Sequence, residues 1–168
     1  MLRNSRVRTV TSQWVVLASC VGLTLLGCVG PTLTEDVADP EADAQAVVDA
    51  HHAFVDAYQR GNARDLVLAL DKTGDLLIFH AERQDRWTSV EEVQQNVGLM
   101  FARLGESKWS DVHLDVKVEG DVAWLTSHVV IESPNLAVPF TGRGTEVWVR
   151  RGGNWRLTHA HWSPNPEF

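Results

Sequence analysis

The chain has 168 residues, 44% of them hydrophobic and 22% charged, which suits one medium-sized globular domain and argues against fibrous, collagen-like or wholly disordered architectures. Its formal charge of −7 argues against a nucleic-acid partner, which would need a basic face. Arg3, Arg6 and Arg8 carry the only charges before Glu35, so the rest of the chain is more acidic still.

Those arginines precede an uncharged run, residues 9–33, whose most apolar part is residues 14–26. A basic start, a short apolar stretch and a small residue at the cut site make a secretory signal, and the run is short for a membrane span. It closes on Leu25-Leu26-Gly27-Cys28, which resembles the bacterial lipobox, although Leu26 is bulkier than the residue usual there. The resemblance implies that residues 1–27 are removed and that Cys28 takes a diacylglyceryl group, giving a lipoprotein anchored in the bacterial cell envelope and facing the periplasm or exterior. An uncleaved signal anchor and an ordinary signal-peptidase cut are the alternatives. Cys20 would leave with the leader, so no thiol would remain for an intramolecular disulfide. Residues 28–41 contain Gly30, Pro31, Pro40 and several acids, lack helical periodicity, and read as a tether.

The domain is expected over residues 42–168. Over residues 42–59, Ala46, Val47, Ala50, Phe54, Ala57 and Tyr58 recur at three- and four-residue spacing, predicting an amphipathic helix that Gly61 stops. Asn62 is an N-cap for a short second helix over residues 63–70, and residues 75–80 predict a strand. Thr88 or Ser89 caps a third helix that buries Val93, Val97, Met100, Phe101 and Leu104. The period then changes to two: Val112, Leu114, Val116 and Val118 alternate with His113, Asp115, Lys117 and Glu119. A Glu119-Gly120-Asp121 turn leads into a strand over residues 122–132, and strands over 141–150 and 155–163 follow. Helices first and hairpins afterwards mean an α+β domain, with helices covering one face of an antiparallel sheet.

This layout carries Phe54-Val55-Asp56-Ala57-Tyr58-Gln59-Arg60-Gly61-Asn62, Gly120-Asp121-Val122-Ala123-Trp124 and Gly153-Asn154-Trp155-Arg156-Leu157-Thr158-His159-Ala160-His161-Trp162-Ser163. Together they resemble the SnoaL-like branch of the nuclear transport factor two (NTF2) superfamily, which also holds ketosteroid isomerase, scytalone dehydratase and the association domain of calcium/calmodulin-dependent kinase two. Residues 145–151 through His159-Ala160-His161 are especially similar to the end of that association domain. The resemblance covers about residues 42 to 165 and implies a cone-shaped fold, three N-terminal helices packed on a curved sheet. It implies little about activity, because this fold hosts enzymes, binders and oligomerisation modules.

A cavity residue of such a cone must point inward from a strand. Alternation on the last strand offers either Trp155, Leu157, His159 and His161 or Arg156, Thr158, Ala160 and Trp162. The resemblance places Trp162 in the pocket, favouring the second set and putting His159 and His161 on the convex side, where such domains pair; a homodimer is expected, with Trp148 also on that face. His80 matches the general-base carboxylate of ketosteroid isomerase, and an imidazole there serves either as a base or as a strand-end group bonded to a loop carbonyl. The isomerase's proton-donating tyrosine matches Phe54, which has no hydroxyl, so that mechanism does not carry over. Glu146 lies within one residue of the isomerase's acidic oxyanion donor; it either donates from a neutral carboxyl or pairs with Arg143 or another cross-strand base. His128 shares a face with Glu132, Trp124 and Val130, where it lines a polar patch or is a satisfied sheet histidine.

No cofactor and no metal is expected, since His159, His161 and His128 have no helical His-x-x-x-His or cysteine cluster beside them. Phosphate loops and a nucleophile elbow are absent from the sequence. Two functions follow. One is binding of a small apolar or amphipathic molecule in a cavity lined by Phe54, His128 and Trp162. The alternative is an isomerase, dehydratase or cyclase with His80 as base and Glu146 at the oxyanion.

Overall fold

A computed structural model describes residues 39–81 and 86–165. Helix α1 (Pro40–Gln59) begins where Asp39 Oδ1 accepts the amides of Glu41 and Ala42, at 3.0 and 3.3 Å, with Pro40 in the first turn where no donor is needed. The helix therefore starts two residues earlier than its apolar spacing suggested, shortening the expected tether. The rest of that tether, the leader and Cys28 lie outside the described residues. Asn62 caps α2 (Ala63–Leu66), as its side chain accepts from the Asp65 amide, and a 3-10 turn follows at Val67–Ala69. Helix α3 (Val90–Leu104) starts at Ser89, whose hydroxyl accepts the Glu92 amide at 3.1 Å while the Glu92 carboxylate accepts from the Thr88 amide at 2.7 Å. It stops at Gly105, with φ of 71°.

The strands are β1 (Leu77–Phe79), β2 (Arg86–Trp87), β3 (Lys108–Glu119), β4 (Val122–Glu132), β5 (Phe140–Arg151) and β6 (Asn154–Pro164). They form one curved sheet in the order β2-β1-β6-β5-β4-β3. All pairings are antiparallel except β1 with β6, which run parallel, the chain passing through α3 and four strands between them. The two-residue β2 carries no pattern long enough to be read from sequence.

Two bulges decide which side chains face the helices. In β3 the register jumps between Asp111 and His113, leaving Val112 as an extra residue that is 65% exposed. One inserted residue flips side-chain parity, so Trp109 and Asp111 join Leu114 and Val116 on the helix side. The expected inward row beginning at Val112 is corrected accordingly. In β6 the jump falls at Thr158, opposite Val147/Trp148. The inner face consequently takes Trp155 and Leu157 from one expected set, Ala160 and Trp162 from the other. His159 and His161 face outward beside the exposed Phe79 ring, but Trp148 is wholly buried, not on the convex face.

The concave face and the inner stripes of α1 and α3 close one core, with Val47, Leu125, Leu157 and Trp148 fully buried. Each aliphatic side chain taken out of water contributes about 1.5–3 kcal/mol.

Candidate functional site

The helices and the sheet leave between them a cavity of about 300 Å³. Helix α1 contributes Phe54 and Tyr58, α3 contributes Val97 and Met100, and the sheet contributes Ile78, Trp109, Val129, Ile131 and Trp162. The Phe54 and Trp162 rings lie parallel with centroids 6.0 Å apart. Tyr58 is held edge-on between Phe101 and Trp109, at 5.2 and 5.1 Å, and burial pushes its phenol up to about 12. His80, just beyond β1, stacks on Trp87 at 5.2 Å and meets Trp162 edge-on at 6.5 Å. Arg103, in the last turn of α3, stands at the exposed rim.

Trp162 owes its seat to Gly144 on the neighbouring strand. A Cβ at Gly144 would stand 2.8 Å from both Trp162 Nε1 and Ser127 Oγ, so only glycine lets the indole edge lie against β5. Both polar atoms are buried there without a protein partner.

Away from this cavity lies an ion cluster whose His51 and Glu146 are fully buried and whose Asp111 is partly exposed. His51, wholly buried on α1, donates from Nδ1 to Glu146 Oε2 at 3.0 Å and from Nε2 to Asp111 Oδ2 at 3.2 Å. Trp148 Nε1 donates to the same Glu146 oxygen and Trp109 Nε1 to Asp111 Oδ1, each at 2.9 Å. Burial alone would lower the His51 pKa, but the Glu146 charge and hydrogen bonds to both carboxylates override it and hold the imidazolium up to about 10. Burial would likewise raise the Asp111 carboxyl; bonding to His51 and Trp109 instead holds it below the usual carboxylate range. The cluster ties α1 to β3 and β5 at once.

A SnoaL-like domain model matches residues 47–166, which spans all the elements that build the cavity and the ion cluster except the first turns of α1. The chain belongs to the SnoaL-like domain family. Solved structures agree in fold. A candidate dehydratase of the NTF2-like family from Streptomyces avermitilis aligns with a TM-score of 0.70 at 24% identity, over 76% of this chain and 99% of that one. A candidate ketosteroid isomerase from Shewanella frigidimarina aligns at 0.61 with 23% identity, over 70% and 94%. A candidate calcium/calmodulin-dependent kinase two association domain from Xanthomonas campestris aligns at 0.61 with 17% identity, over 79% and 93%. No curated protein matches in sequence.

In this SnoaL-like domain Phe54, His80 and Trp162 come together at the cavity wall. Glu146 does not: it is fully buried in the ion cluster and bonded to His51 and Trp148, while Arg143 points to the opposite face of the sheet. His128 also lies away from the cavity, on the convex side beside His113 with ring centroids 5.9 Å apart, because its neighbours Ser127 and Val129 take the inward positions. Sequence reasoning missed His51 and Asp111. His51 carried a signal, since it falls four residues after Val47 and three before Phe54, inside the buried stripe of α1. Asp111 carried none, because only the bulge at Val112 turns it inward.

Proposed function

We propose that this SnoaL-like domain is a binding module whose cavity takes a small apolar or amphipathic molecule without transforming it. The observation that carries the reading is the wall itself: about 300 Å³ enclosed by Phe54, Trp87, Trp109, Trp162 and aliphatic side chains, at the small end of the range for ligand clefts. The neutral dye N-phenyl-1-naphthylamine should bind with an increase in fluorescence, and native mass spectrometry of the purified protein should show a retained organic ligand. Val97→Trp, which fills the cavity from α3, should abolish dye binding while the unfolding transition stays cooperative. Undiminished binding to Val97→Trp would remove the cavity from consideration.

A second reading, an enzyme of the isomerase, dehydratase or cyclase type, is favoured by one observation: His80 stands at the cavity wall against Trp162. The dehydratase and isomerase descriptions of two structural neighbours point the same way. Against it, the acid expected opposite His80 is Glu146, and that carboxylate is bonded to His51 away from the wall. Turnover of candidate ketones that disappears in His80→Gln would make this reading the better one.

The domain is further proposed to sit at a bacterial envelope membrane through acyl chains on Cys28, at about 0.8 kcal/mol per buried methylene, and to pair through its convex face, where Phe79, Val122 and Trp124 are exposed. Lipid labelling of wild type but not of Cys28→Ala checks the anchor. Light scattering of the soluble portion at micromolar concentration checks the dimer.

A further inference from the structure

The chain carries 22 acidic residues against 15 Lys and Arg, yet no Asp or Glu is among the described residues that line the cavity. The side chains there that carry charge or exchange protons are Tyr58, His80 and Arg103. Arg103 is the permanent cation of the three. Its charge acts on the Tyr58 phenol, so the guanidinium field reaches inward from the rim to the buried part of the wall.

The end of α3 that holds Arg103 is pinned. Its main-chain carbonyl accepts from Asn135 Nδ2 at 3.1 Å, and the next carbonyl, of Leu104, accepts from Ser133 Oγ at 2.5 Å. Both donors lie in the connection between β4 and β5, which also places Leu136 on the cavity wall. The backbone that carries the cation is thus fixed at an apolar mouth.

Building on the reading of the cavity as a ligand site, we propose that its ligand is an amphipathic anion, with its apolar body between the aromatic walls and a carboxylate-type head on Arg103 at the mouth. A guanidinium fork matches a carboxylate in two parallel hydrogen bonds. The exposed rim lets the head keep part of its hydration, which avoids the full cost of burying an ion. The wall presents no carboxylate among its described residues to repel it.

Decanoate and decan-1-ol share a chain length and differ in head charge, and both can be titrated at pH 8 by displacement of N-phenyl-1-naphthylamine. Wild type should bind decanoate about tenfold more tightly or better, as expected for a hydrogen-bonded ion contact. Arg103→Met, which keeps an apolar stem, should bring decanoate down to the affinity that decanol has for the same variant. Arg103→Lys should keep part of the preference. Equal affinities in wild type, or a preference that survives in Arg103→Met, overturn the anion assignment and leave the binding reading intact. If neither compound nor the dye binds, both readings fall.

Discussion

The two ends of the space between α1 and the sheet are built from opposite materials. One end holds His51, Asp111 and Glu146, charged and bonded across three elements. The other is aromatic and aliphatic, with the charged Arg103 at its rim. The contrast assigns the work. A helix that borders a cavity forfeits packing contacts there, and a directional clamp elsewhere along it keeps its position fixed. The same contrast explains why a strongly perturbed histidine stands away from the cavity: His51 is held charged by partners that it in turn neutralises, and strongly shifted groups arise in structural ion networks as well as in active sites.

Breaking the clamp should have the largest effect. His51→Ala leaves Asp111 and Glu146 facing each other without a counter-charge, and removing one member of a buried ion set costs about 3–5 kcal/mol. Urea unfolding should show that loss. Replacing all three members with leucine should return much of it, because no charge is then left stranded. A triple variant no more stable than His51→Ala would mean that the cluster supplies more than mutual neutralisation.

The pH dependence sharpens the same comparison. The folded-state pKa of His51 is raised from 6.5 to about 10, so its contribution is fully present below 6.5 and is lost as pH rises toward 10. The depressed Asp111 carboxyl works the other way, its contribution present above the ordinary carboxyl value of 3.8 and lost as pH falls below it. Wild-type stability should therefore decline between pH 6.5 and 10, and His51→Gln should flatten that limb; an unchanged alkaline limb in the variant would assign it to other groups.

At the cavity end, Gly144→Ala should push the Trp162 indole away from β5, at about 1–3 kcal/mol for overpacking. The expected signature is a shift in tryptophan emission together with weaker dye binding. The smallest effect belongs to the β3 bulge. Val112→Ser should stay within about 0.5 kcal/mol of wild type, whereas Val116→Ala, two strand positions inside the restored row, should cost roughly 1–3 kcal/mol in the same melts. Equal costs would contradict the parity change.

Much of the architecture was legible before any coordinates. The Val93-Val97-Met100-Phe101-Leu104 stripe and the Ser89 cap are local signals, and α3 follows them closely. The hairpin strands follow from alternation and from Gly120 and the Gly152-Gly153 pair at their turns, all with positive φ. Trp162 at the cavity was reached through resemblance, since periodicity could not choose a face of β6. The bulge at Thr158 shows why: neither alternating set is correct along the whole strand.

What the sequence by itself determined is therefore the set of elements, their order and the SnoaL-like family, because capping, apolar spacing and turn residues act over a few positions. Which polar residues meet was decided only in the tertiary structure. His51 and Glu146 are 95 residues apart and His51 and Asp111 60 apart, and the Asp111 contact depends on a single extra residue in β3 that leaves no trace in the hydrophobic pattern. A buried charge is tolerated only where its partners arrive together, and that condition belongs to the packed chain, not to any segment of it.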